Sequence, residues 1–268
     1  MTIVTISRGT YSRGKEVAEK LAQALKYECL SREIIIEASK EFNIPEIKLI
    51  RAIHDAPSIL DRFTYGRERY MAFFKAALLK HLKRDNIIYH GLAGHAFLQE
   101  IPHVLKVRII ADLEYRIAEE MKRENISAEK ARHIIVKDDA ERHKWTLNLY
   151  DIDILNPQFY DMTLHLDIMD VDDAVSIILN TIELPCFKTS EKSSRKLDDL
   201  SLNAQIEAAL VDDFPKAFAD TKNGTAFVSI RGSLVDEQSI VSKAGAIIDK
   251  IDGVKKAHIN IVPHHIEE

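Results

Sequence analysis

Thr2-Ile3-Val4-Thr5-Ile6-Ser7-Arg8-Gly9-Thr10-Tyr11-Ser12-Arg13-Gly14-Lys15-Glu16-Val17-Ala18-Glu19-Lys20-Leu21-Ala22 contains three kinds of chain in succession. Thr2 to Ile6 is short, apolar and β-branched, which favours a strand. Gly9 to Lys15 is polar and bounded by glycines. From Val17 the apolar residues recur at helical spacing, through Ala18, Leu21, Ala22 and Leu25. The order strand, Gly-bounded loop, helix follows. Gly9 and Gly14-Lys15 have GxxxxGK spacing, which suits a phosphate chain. Inward-pointing backbone N–H groups cradle its oxygens, and the N-terminus of the following helix adds partial positive charge. Lys15 can reach the terminal phosphates. Gly9, Thr10, Tyr11, Ser12, Arg13, Gly14, Lys15 and Glu16 are therefore the candidate binding residues. The spacing also fits a plain turn, with Lys15 and Glu16 solvated.

Outward from this unit, strands are expected at Tyr27–Leu30, Asn86–His90, Leu105–Ala111 and Met162–Leu166. Helices are expected at Arg32–Phe42, Ile44–Ile53, Arg67–Arg84, Leu113–Lys122, Ser127–Tyr150 and Val171–Asn180, with a short one at Ala96–Gln99. Strands alternating with helices predict an α/β fold, a P-loop NTPase-type parallel sheet with helices on both faces. A small α+β C-terminal domain follows. Thr189 to Lys196 is polar, without apolar period, and reads as a linker. The expected division is 1–187, a linker at 188–200, and 201–268. In the last part a strand from Gly224 to Ile230 turns at Arg231-Gly232, and Ser233-Leu234 begin its return.

Apolar residues make up 46% of the 268 and charged residues 29%, as in an ordinary globular chain. No apolar run is long enough for a spanning helix, and the first residues do not read as a signal peptide. Lys and Arg number 37 against 42 Asp and Glu, a net charge of −5. That balance gives no bulk attraction to nucleic acid. Cys29 and Cys186 sit in no metal-type spacing, so a reducing cytoplasm is expected.

Arg116, Arg123, Arg132 and Arg142 recur between Leu113 and Tyr150. Guanidinium forks there could stabilise a moving phosphoryl group, and the same pattern equally suits a solvated charged helix pair. His90 and His95 lack a third ligand for a metal. Trp145 and Tyr150 are expected to pack. Ser7, Ser12 and Ser58 lack the His/Asp pattern of a nucleophile.

Several segments together resemble the cytidylate-kinase-like P-loop proteins. These are Ile3 to Arg8 with Ser12 to Ala22, Tyr27 to Ile35 with its Ser31-Arg32-Glu33 turn, and Ile87 to Gly94. Asp139-Ala140-Glu141-Arg142 before Trp145 is similar to the family's lid motif, and Asn156 to Leu166 to its closing strand. The resemblance runs from Met1 to Glu183. It implies a nucleoside-monophosphate kinase fold and phosphoryl transfer from ATP, with Mg²⁺, to CMP, dCMP or a related acceptor. It puts the ATP phosphates on Gly9–Lys15. Arg142, with Arg132 and Arg116, would close over the transferring group, Lys15 and Asp139 complete the implied catalytic set, and the acceptor would lie against residues 31–63. Glu16 replaces a Mg²⁺-binding hydroxyl, Leu92 an expected arginine, and Ser31 an acidic residue. These departures allow a second reading, a nucleotide-binding regulatory protein with reduced turnover. Residues Leu200 to Pro263 resemble a BON domain, which implies a small-ligand or protein partner. Self-association of the chain is left open.

Overall fold

The computed structural model describes residues 2–31, 65–91 and 93–263. The helices expected at 32–42 and 44–53, most of the acceptor segment, and Leu92 lie outside them. The described residues divide into two compact units, one drawn from 1–33 and 84–190, the other from 34–83 and 191–268.

The first unit holds β1 (Ile3–Arg8), α1 (Gly14–Leu25), β2 (Glu28–Leu30), β3 (Ile87–His90), β4 (Val104–Ala111), β5 (Met162–Leu166) and three further helices. Its five-stranded sheet has the order β2-β3-β1-β4-β5, and every pair is parallel. Parallel neighbours require crossovers, and the intervening helices supply them. On one face Val4 and Ile6 of β1 meet Val17, Ala18 and Leu21 of α1. Ala174, Ile178 and Ile182 of Val171–Ile182 complete that core. Asp170 and Asp173 form a capping box that starts this helix. On the opposite face Thr5 and Ser7 project beside Lys106 and Arg108, their cross-strand partners.

Leu113–Glu124 ends at Asn125, whose φ of 52° suits a left-handed cap. Ser127 then caps Ala128–Tyr150 by accepting from the Lys130 N–H. These two helices share a small core of Ile117, Ala131 and Ile135, against which Tyr11 of the loop packs.

The second unit contains Gly66–Leu82, Glu191–Leu210, β6 (Phe218–Lys222), β7 (Thr225–Gly232), Glu237–Ile248 and β8 (Lys256–Pro263). In chain order the seven α-helices of the described residues are α1, α2 (Gly66–Leu82), α3 (Leu113–Glu124), α4 (Ala128–Tyr150), α5 (Val171–Ile182), α6 (Glu191–Leu210) and α7 (Glu237–Ile248). The linker reading is corrected here, because residues 191–210 are one continuous helix. Its buried positions include Ser193, Leu197, Ser201, Ala204 and Ala208. The serines hide this stripe from a hydropathy pattern, yet small side chains let two helices approach closely. Helix α2 packs along α6, tied by Lys83–Asp198 at 3.0 Å, Lys75–Glu207 at 3.0 Å and Arg69–Asp212 at 2.7 Å. Consequently α2 belongs with the C-terminal residues, a grouping different from a cut near residue 188.

The small sheet has the order β6-β7-β8, with β6/β7 antiparallel and β7/β8 parallel. The expected return strand after Gly232 is replaced by a short 3₁₀ turn leading into α7. The hairpin partner of β7 precedes it instead. Asn223 and Gly224, at φ 53° and 83°, make the tight turn.

Candidate active site

Strand β1 delivers the loop into a setting made by β4, α3 and α4. The Gly9 N–H donates to the Ile109 carbonyl at 3.0 Å. The Ser12 hydroxyl is fully buried, 2.9 Å from the Gly9 carbonyl oxygen and 3.1 Å from that of Ile109. Gly14 opens α1 at a point where a Cβ would come 2.7 Å from the Cβ of Arg8. Tyr11 and Arg13 have φ of 57° and 58°. Such left-handed residues cost roughly 1–2 kcal/mol each and persist where their surroundings hold them.

Those surroundings are specific. Arg13 forms two parallel bonds with Glu16, at 2.8 and 2.9 Å, and donates to the Tyr115 hydroxyl at 3.2 Å. The Arg123 guanidinium lies 4.4 Å over the Tyr11 ring. Arg123 also bonds Glu120, whose carboxyl is held above the usual range chiefly by burial. Asp139, on α4, accepts from the Thr10 N–H at 3.1 Å and from Arg116 Nη1 at 2.6 Å. Arg116 also donates to the Thr10 carbonyl at 3.1 Å. A carboxylate thus holds one amide of the loop, together with a guanidinium from α3. Thr10 Oγ1 and Arg116 Nε are buried without a partner beside it.

The other predicted residues are placed as follows. Lys15 is 62% exposed and extends along α1 to Glu19, at 3.5 Å. Arg132 is half exposed and paired with Glu114. Arg142 follows Asp139 by one helical turn on α4, so the two share a face. The structure therefore brings Asp139 and Arg116 onto the loop and directs Lys15 and Arg132 toward Glu19 and Glu114. Arg123, one of the recurrent arginines, lies on Tyr11 and Glu120, and Tyr115 is a contact that the sequence reading did not assign. Tyr115 stands next to Arg116 and carries no separate sequence signal.

The orphaned Thr10 Oγ1 and Arg116 Nε at the loop fit a polyphosphate. They do not form a Mg²⁺ cage, because Glu16 is taken by Arg13 and Asp139 by Arg116. No cluster of three His, Cys, Asp or Glu side chains suited to a metal occurs among the described residues.

The opposite face of the sheet carries a second polar group. The Tyr160 hydroxyl lies 3.2 Å from Ser7 Oγ, accepts from Arg108 Nη1 at 3.2 Å, and donates to the Ile154 carbonyl at 3.0 Å. The His95 ring packs against Tyr160 at a tilt of 34°, with centroids 4.8 Å apart. Lys106 pairs with Asp161 at 2.9 Å. Burial, with the charges of Arg108 and Lys106, pushes the His95 pKa down to about 4.

A parallel sheet of this strand order, with a GxxxxGK loop between its central strand and the next helix, defines a P-loop kinase type of fold. Residues 3–168 match the Cytidylate kinase-like family, and the chain belongs to it. A cytidylate kinase of Sulfolobus acidocaldarius is 26% identical over 180 residues, which are 67% of this chain and 93% of the relative. Among solved structures, an uncharacterized protein from Eubacterium ventriosum shares the fold, with a TM-score of 0.53 at 19% identity. That match covers 68% of this chain and 99% of the other. A shikimate kinase from Acinetobacter baumannii gives a TM-score of 0.38 at 16% identity, over 68% and 93%. Among the described residues no helix is long and apolar enough to cross a membrane.

Proposed function

We propose that this protein is a phosphotransferase that moves the γ-phosphoryl of ATP to a nucleoside monophosphate, CMP, dCMP or a related acceptor. The observation that carries this reading is the loop at Gly9–Lys15, with Arg116 and Asp139 placed on its Thr10 backbone. Family membership supports it. A phosphate oxygen is already the nucleophile, so positioning and charge neutralisation carry the rate. The loop amides and Lys15 would hold the donor phosphates. Arg116, Arg132 and Arg142 would converge on the transferring group as the α3–α4 pair moves. The Thr10 amide would exchange the Asp139 carboxylate for a phosphate oxygen, and Asp139 would keep Arg116 oriented. Any Mg²⁺ would be held through the nucleotide's own phosphates.

A second reading has its own support. Tyr11 and Arg13 hold the loop in a left-handed conformation, and a carboxylate already occupies the Thr10 amide. These features suit a nucleotide-binding regulatory protein of low turnover. The order α6-β6-β7-α7-β8 suits a BON-like module beside it, one that takes a small ligand or a protein partner.

The test is ADP formation from Mg²⁺-ATP with each nucleoside monophosphate, beside Lys15→Ala. Acceptor-dependent turnover that falls in the variant supports the kinase. ATP binding without turnover for any acceptor selects the regulator.

A further inference from the structure

We propose that Arg108, together with Ser7, His95 and Tyr160, forms the site that receives the phosphate monoester of the acceptor. This rests on the kinase reading above and deepens it.

Arg108 retains 8% exposure. A guanidinium carries five N–H donors. The one protein hydrogen bond of this side chain among the described residues goes to Tyr160, a neutral hydroxyl. No carboxylate there pairs with it, since Asp161 is engaged by both Nζ and the backbone N–H of Lys106. Its other nitrogens are absent from the set of buried polar atoms without partners, so they still reach water. An interior cation without a counter-charge is costly, and the cost is removed when an anion arrives.

Two neighbouring groups point the same way. His95 is 2% exposed, and its Nε2 is buried without a partner. Thr5 Oγ1, on the same face of β1, is also buried without one. Burial beside two cations keeps the His95 ring neutral near neutral pH, so Nε2 can take whichever hydrogen-bond role a ligand needs. Ser7 and Tyr160 supply hydroxyls within 3.2 Å of each other.

Position favours an acceptor over an unrelated anion. Ser7 pairs in register with Arg108 and lies two residues before Gly9. At roughly 3.3 Å per strand residue, the cluster is within about 10 Å of the phosphate loop. A guanidinium fork matches a phosphate dianion in a way that a lysine cannot.

Steady-state transfer from ATP to CMP by the full chain tests the site. In Arg108→Gln the KM for CMP rises about ten- to a hundredfold, while the KM for ATP stays within about twofold. Arg108→Lys recovers part of the loss. Tyr160→Phe, which keeps the ring and removes the hydroxyl, raises the KM for CMP about threefold or more. An unchanged KM for CMP, or equal losses for both substrates, overturns the assignment. If the wild type transfers nothing to CMP, thermal unfolding in inorganic phosphate reads the site without turnover. Stabilisation of wild type and Lys15→Ala, absent in Arg108→Gln, would keep the site and remove the kinase reading. Stabilisation equal in Arg108→Gln, or absent from wild type, overturns the site.

Discussion

Gly9 and Gly14 look alike in the GxxxxGK pattern, yet the structure makes them unequal, and alanine at each position exposes the difference. At Gly14 a new Cβ meets Arg8 Cβ at 2.7 Å, Arg8 Cδ at 3.2 Å and Ile109 Cβ at 3.3 Å. Two of these atoms are fixed to backbone, so they cannot move without shifting β1 or β4. Overpacking of this kind costs about 1–3 kcal/mol. Alanine's better helix propensity returns up to about 1 kcal/mol, less at a helix start. The net expectation for Gly14→Ala is a loss of about 1–2 kcal/mol. At Gly9 the nearest atoms, Arg116 Nη1 and Ser12, stand 3.7 Å away, which is ordinary contact. Gly9→Ala should therefore stay within about 0.5 kcal/mol of wild type. Urea unfolding at constant slope measures both changes. ATP titration adds a second readout, because separating the loop from the α1 N-terminus weakens phosphate binding. Equal stabilities for the two variants, or a greater loss at Gly9, would refute the geometry of the loop.

Three further outcomes follow from other parts of the molecule. Lys15→Ala should leave thermal stability nearly unchanged, since its pair with Glu19 is exposed, while ATP affinity measured by calorimetry falls. His95 remains neutral in the fold down to about pH 4, whereas the unfolded chain takes up its proton near 6.5. Stability should then fall as pH drops from about 6.5 toward 4, by up to about 3 kcal/mol. His95→Gln, measured by denaturation across that range, should flatten the slope, and an unchanged slope would contradict the burial. Leu197→Ala, at a position 3% exposed in α6, should cost about 2–5 kcal/mol. A linker residue would cost nothing measurable, so a neutral result would restore the linker reading.

The first unit was legible because its signals are local. Ile3 to Ile6, the glycines and the helical period from Val17 lie within one short stretch. Each of the five strands lies close to its expected bounds. The C-terminal unit was less legible. Asn223-Gly224 is the hairpin signal, but Gly224 reads as the start of a strand, so the sequence does not predict Phe218–Lys222. Ser193 and Ser201 made a buried helix face look like a tether. At the candidate site, Asp139 and Arg116 were found because Asp139 belongs to a spaced motif and both lie in a recurrent basic segment. Arg108 escaped because Lys106 and Arg108 alternate on β4 like the polar face of any strand; what sets Arg108 apart is that Asp161 goes to Lys106 and no carboxylate among the described residues goes to Arg108.

By itself the sequence determined the strand–loop–helix opening, the parallel α/β layout and the candidate phosphate loop. Those rest on steric preference and apolar spacing between near neighbours in the chain. Tertiary structure alone decided that Asp139 would hold the Thr10 amide, that Tyr11 would lie under Arg123, and that α2 would pack on α6. It also decided that Ser7, His95, Arg108 and Tyr160 would meet on one face of the sheet. Contacts of that kind depend on strand order and on the side of the sheet each residue faces. Both are set by the packing of the whole unit, over which local propensity has little control.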